Sequence, residues 1–119
     1  MVRRVITLVA MIKRKEGLSA EEFERHWREQ HGPLIASIPE VARHVVRYEQ
    51  LPRAVAAGRY TGSAGFDGVT VMTFASMDEF EAFISEPAYE RVRADEVTFL
   101  DLDGTVVVMA SEGRTVIGE

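Results

Sequence analysis

The sequence predicts an α+β fold in which a four-stranded antiparallel sheet carries its helices on one face, in the order βαββαβ. Three observations predict it. Four runs rich in β-branched or apolar residues are separated by turn signals, two capping boxes each open a segment of helical periodicity, and 119 residues is about the length of one domain, 1–119.

Val5 to Ile12 is apolar at both parities and reads as a first strand covered on both faces. Ser19 followed by Glu22 is a capping box, so a helix begins near Ala20 and is broken or kinked at Gly32-Pro33. Ala42 to Leu51 reads as the second strand and Gly68 to Ala75 as the third. Ser76 and Glu79 make another capping box, and Phe80, Phe83 and Ile84 give the helix that follows an apolar face of the kind that builds a core. Pro87 ends it, Ala88 to about Val97 forms a further turn or helix, and Thr105 to Ala110 is the last strand. This order is the split βαβ, or ferredoxin-like, arrangement. It leaves one sheet face bare, while Val106 to Met109 repeat the two-sided apolar signature, so a homodimer joined face to face into a barrel is expected.

The stretch from Pro52 to Gly68, with Arg59 and Tyr60 among its glycines, lacks periodicity and is expected to be a lid, a binding segment or a plain surface loop. No helix follows its glycines, so it is no phosphate-cradling loop. With 14 Lys+Arg against 19 Asp+Glu, the net charge of −5 disfavours nucleic acid and anionic membrane as partners, and Arg3, Arg4 and Lys13 to Lys15 are too scattered for a phosphate stripe. The absence of cysteine excludes thiol nucleophiles, disulfides and cysteine-ligated metals. No apolar run reaches the ~20 residues a transmembrane helix needs and no cleavage-like site precedes the first strand, so a cytoplasmic location is expected.

Two of the three histidines and the only tryptophan lie within six residues of one another, His26 to His31. In an α-helix Phe23, Trp27 and His31 form one row, so an imidazole sits where an apolar stripe should continue. Either it caps the helix end, or it transfers protons in a pocket walled by Trp27. A metal shared by His26 and His31 is not expected, because five residues of α-helix turn the second side chain about 140° from the first. On the second strand His44 and Tyr48 share a parity, roughly 13 Å apart. If that parity faces the helices, Tyr48 pairs with His31 as donor to base; if it faces the barrel, Tyr48 is an interface residue. Asp67 is a turn residue or an acid–base group, Asp101 and Asp103 flank a similar turn, and Glu21, Glu22 and Glu24 complement the helix dipole.

Gly17-Leu18-Ser19, Glu21-Glu22-Phe23, His26-Trp27 and His31-Gly32-Pro33-Leu34 together resemble the characteristic run of the EthD family. Phe66-Asp67-Gly68-Val69 and Asp95-Glu96 with Phe99 and Asp101 are similar to its later landmarks, although Val71 and Thr73 stand where an acidic and an aromatic residue often follow the Asp-Gly element. The resemblance implies a dimeric α+β barrel. It also implies the company of lactone isomerases and of dehydratases or cyclases of polyketide pathways. The expected function is a lyase, isomerase or cyclase that uses no metal or other cofactor. In it His31, His26 and Tyr48 are catalytic, and Trp27, His44 and Asp67 hold a small oxygenated (lactone, aromatic or polyketide-like) metabolite. A cofactor-free monooxygenase and a non-catalytic barrel that binds hydrophobic metabolites are the alternatives.

Overall fold

In a computed structural model of the chain, which describes residues 5–55 and 65–119, four strands form one sheet. They are β1 (Ile6–Ile12), β2 (Arg47–Pro52), β3 (Gly68–Phe74) and β4 (Val106–Ala110), in the order β2-β3-β1-β4 with every pairing antiparallel. This is the ferredoxin-like order. Much of the stretch from Pro52 to Gly68, expected as a lid, a binding segment or a plain surface loop, lies outside the described residues, as do Arg3 and Arg4.

Register sorts the side chains. Leu8 is opposite Met72 and Met109, and Ala10 opposite Thr70 and Val107, so these residues share one face with Tyr48, the partner of Met72. That face meets the helices: Ala10, Ile12, Met72 and Phe74 are buried beneath them. Val9, Met11, Val71, Thr73 and Val108 share the opposite face, over which no helix lies among the described residues. On the edge strand, Val106 and Val108 remain 45% and 51% exposed.

The helices are α1 (Ala20–His26), α2 (Gly32–Ser37), α3 (Pro39–Ala42), α4 (Met77–Ser85) and α5 (Tyr89–Phe99), with a π-helical turn, Trp27–His31, joining α1 to α2. Ser19 and Glu22 form the full capping box, and its hydrogen bonds to Ser19 hold the Glu22 carboxyl below its usual range. Of the two outcomes expected at Gly32-Pro33, the break does not occur: the helix runs on into α2 through the π-helical turn. A prolyl ring clashes with the carbonyl four residues earlier in a regular α-helix. Here the preceding turn is widened, and the Gly32 N–H donates to the Trp27 carbonyl five residues back. The Gln50 amide donates to the same carbonyl at 2.9 Å.

The second strand begins later than predicted. Pro39 starts α3, Val41 is fully buried from it, and a turn follows to Val46, so β2 takes up only Arg47–Pro52. His44 therefore lies in a turn rather than on the strand with Tyr48. Its Nδ1 meets Glu79 at 3.0 Å and its Nε2 meets Glu86 at 2.6 Å, and Arg43 adds a 2.8 Å bond to Glu86. The second capping box is consequently only half formed: Ser76 accepts from the Glu79 N–H, but the Glu79 carboxylate is turned to His44.

Hydrogen bonds donated to Glu86 and then to Glu79 raise the His44 pKa above its ordinary value. A group whose folded pKa is raised contributes stability that is complete below its unfolded value, about 6.5 for histidine, and lost as pH rises through the folded value. The difference in melting temperature between the wild type and His44→Gln is thus expected to be largest on the acid side and to shrink as pH rises. A gap that does not change with pH would remove the ion-pair account.

Candidate active site

The elements converge on a cavity of about 370 Å3 between the helices and the sheet. Its walls are mostly apolar, including Leu8, Ile35, Met72 and Phe83, and its polar lining comprises His31, Tyr48, Thr70, Tyr89, Glu96 and Thr105. Trp27 closes one side, fully buried against Phe23 at a ring-centroid separation of 5.8 Å. The parity left open for β2 is therefore decided: Tyr48 faces the helices and the cavity.

The π-helical turn changes which histidine faces what. In a π-helix a residue and the fifth after it lie one above the other, so His26 and His31 share a side, against the expectation drawn from α-helical spacing. Both reach one carboxylate: His26 Nε2 is 2.9 Å from Asp95 Oδ1 and His31 Nδ1 is 2.8 Å from Asp95 Oδ2. The two rings flank Phe99, with centroid separations of 4.7 Å and 4.8 Å. A carboxylate only accepts hydrogen bonds, so each ring presents an N–H to it. That leaves the His31 Nε2 lone pair without a partner among the described residues. No buried side-chain nitrogen or oxygen there lacks one, so Nε2 is open to the cavity that His31 lines.

His31 is only 6% exposed, and burial is the chief cause that lowers its pKa, opposed by the Asp95 hydrogen bond and charge. The ring is thereby kept neutral near pH 7, with one nitrogen left as an acceptor, the form in which an imidazole can take up a proton. The Asp95 bond fixes the tautomer that carries its proton on Nδ1. His26 does not line the cavity. Its link to His31 runs through the shared Asp95 carboxylate.

Tyr48 supplies the complementary group. Its hydroxyl oxygen accepts a 2.9 Å bond from the Gln50 amide, which leaves its own proton available. Burial raises its pKa, against the smaller opposing effects of Gln50 and Trp27, so the phenol stays protonated. Asp67 and His44, expected as substrate-binding residues, stand away from this cavity. Asp67, 8% exposed, accepts from the Arg14 backbone N–H at 2.8 Å and from its guanidinium at 3.0 Å, with Arg53 at 3.7 Å. These contacts tie β1 to the entry of β3, and His44 binds the two glutamates of the α4 region instead.

Asp95, Glu96 and Tyr89 are the residues at this site that the sequence left without a role. All three belong to α5, read only as a turn or short helix, although Asp95-Glu96 had marked a family landmark. Among the described residues no group of three or more His, Cys, Asp and Glu side chains is arranged to hold a metal ion, and no helix is long and apolar enough to cross a membrane.

The fold is that of several solved proteins. A hydroxynitrile lyase from Passiflora edulis superposes with a TM-score of 0.72 at 14% identity, covering 98% of this chain and 100% of that one. SnoaB, a cofactor-independent oxygenase from Streptomyces nogalater, gives 0.62 at 13% identity, covering 97% and 98%. A dimeric ferredoxin-like protein of unknown function from Thermobifida fusca gives 0.65 at 15% identity, covering 92% of each chain. At these identities the likeness is one of fold. Among functionally curated proteins no sequence match is found. The family model of the EthD domain, however, matches residues 15–103, which hold the His-Trp helix, β2, β3 and the whole of α5, and the chain belongs to the EthD family.

Proposed function

We propose that the protein is a homodimeric enzyme that moves a proton on a small oxygenated (lactone, aromatic or polyketide-like) molecule held in the cavity, in a lyase, isomerase or cyclase reaction. The observation that carries this reading is the His31–Asp95 pair, whose free Nε2 opens into a largely apolar space that Tyr48 also lines. His31 removes a proton from carbon next to a carbonyl, the electron pair moves onto the carbonyl oxygen, and Tyr48 donates to that oxygen. The chain's own side chains supply both ends of this step. The likeness to a lyase supports the class of chemistry. The likeness to SnoaB favours a second reading, in which the carbanion so formed reacts with oxygen.

Turnover of a nitro-substituted benzisoxazole tests the base directly. Loss of its ring C–H proton opens the N–O bond and gives a coloured phenolate, with no oxidant or cofactor. Acceleration by the wild type beyond free imidazole, lost in His31→Gln, is the expected result. Equal rates would remove the base, and oxygen uptake on an electron-rich phenol would favour the second reading.

The uncovered sheet face, with Val9, Met11, Val71 and Val108, supports a second copy of the same sheet as its cover. Val71 and Thr73, where the chain departs from the family pattern, lie on this face rather than in the cavity. Val71→Asp is accordingly expected to halve the mass seen by native mass spectrometry; an unchanged dimer would place the interface elsewhere.

A further inference from the structure

Glu96 is a half-buried carboxyl bordering the same cavity, and the proton transfer just described does not use it. Consecutive residues on a helix point about 100° apart. Asp95 can therefore hold the two histidines while Glu96, next to it on α5, lines the cavity. Tyr89, two helical turns earlier, shares its side of the helix and interacts with it, and Tyr48 approaches from β2.

Among the described residues no cation forms an ion pair with this carboxyl, although the Arg93 charge acts on it from a distance. Arg93, one turn earlier on α5, bonds instead to Glu90 and to the Ile84 carbonyl, and its guanidinium stacks 4.7 Å from the centre of the Tyr89 ring. A carboxylate facing an apolar cavity without a paired cation is costly, and protonation relieves the cost and makes the group a donor. Burial is the chief cause that raises the Glu96 pKa, opposed by the Arg93 charge and a hydrogen bond with Tyr89, with a smaller upward contribution from the Asp95 charge.

We propose that Glu96, with Tyr48 and Tyr89 beside it, is a proton-donating end of the cavity facing the His31 base. This rests on His31 acting as that base. The ligand class it selects is a molecule with two separated features: an acidic C–H that meets His31, and a carbonyl or phenolic oxygen that meets the Glu96 end. Enolisable aromatic ketones and β-dicarbonyl compounds have this form. As His31 takes the carbon-bound proton, the C–H electron pair is delocalised onto the oxygen, which receives the Glu96 proton. The enol leaves Glu96 ionised and His31 protonated, and return of both protons, or ring closure and water loss, resets the pair.

The pH profile of benzisoxazole opening separates this from a packing role for Glu96. The groups that face Glu96 are Tyr48 from β2, Tyr89, Arg93 and Asp95 from α5, and His31 beyond them. The wild type should give a bell, rising as His31 loses its proton and falling as the donor end loses its own. Glu96→Gln, of the same shape, should keep the rising limb and lose the falling one, and Glu96→Leu should lower the maximum about 100-fold, as removal of an oxyanion donor does. A falling limb retained in Glu96→Gln, or wild-type turnover in Glu96→Leu, would overturn the proposal while leaving the base in place. Full activity in His31→Gln would instead remove the base, and this inference with it. Circular dichroism of each variant confirms that the fold is kept.

Discussion

Replacing His31 by Gln is expected to slow proton abstraction by about 10²–10⁴-fold, the usual contribution of a positioned general base. Glutamine keeps much of the volume and a polar end, so the variant should fold and dimerise as the wild type does. Asp95→Asn should lose activity as well, for a different reason. The carboxylate accepts from both His26 and His31, whereas an amide offers one accepting oxygen and one donating nitrogen, so it cannot serve both rings. Whichever ring meets the amide N–H must turn its lone pair toward it. If that ring is His31, Nε2 then carries the proton and the base becomes a donor. Activity retained in both variants would place the chemistry away from the His31–Asp95 pair. Loss in His31→Gln alone would make Asp95 a structural partner.

The second large effect concerns the wall of the cavity. A methyl group at Gly68 would stand 2.6 Å from Trp27 Cζ3, 2.8 Å from its Cη2 and 3.2 Å from the Leu51 carbonyl oxygen. Trp27 is 1% exposed and held between Phe23 and the start of β3, so its ring has little freedom to retreat. Gly68→Ala is therefore expected to cost about 1–3 kcal/mol by overpacking, and Trp27→Ala about 3–5 kcal/mol by the cavity it leaves. The decisive comparison is Gly68→Ala in a Trp27→Phe background. Phenylalanine lacks the outer ring atoms that meet the new methyl, so the cost of the alanine should fall by about 0.5–3 kcal/mol in the double mutant, the range for coupled neighbours. Denaturant unfolding of the four proteins measures it. Strictly additive costs would mean that Gly68 answers to something other than Trp27.

The position of Gly68 shows how far local signals reach. Asp67-Gly68 reads as a turn pair, yet Gly68 opens β3 without the positive φ that would require glycine, and its neighbour in space is an indole 41 residues away in sequence. Asp67, likewise, is held by Arg14 and Arg53, partners from two other segments. By contrast, the capping box at Ser19, the apolar face of Phe80 and Phe83, and the β-branched runs were legible because their causes lie within a few residues of themselves.

The same division runs through the candidate site. By itself the sequence determined the four strands, their ferredoxin-like order, the bare apolar face and the concentration of histidine and tryptophan on one helix, since these follow from periodicity and capping. Only the tertiary structure decided three further things: that Tyr48 rather than Arg47 faces the helices, that His44 leaves the strand for a pair of glutamates, and that α5 delivers Asp95 to both histidines and Glu96 to the cavity. The π-helical turn is the hinge of that difference. One widened turn before Pro33 converts a spacing of five from opposed to shared faces, and a carboxylate more than 60 residues away then finds both imidazoles. Hydrogen bonds between residues so distant in sequence leave no local periodicity to read, because the geometry that brings them together is set by packing across the whole sheet.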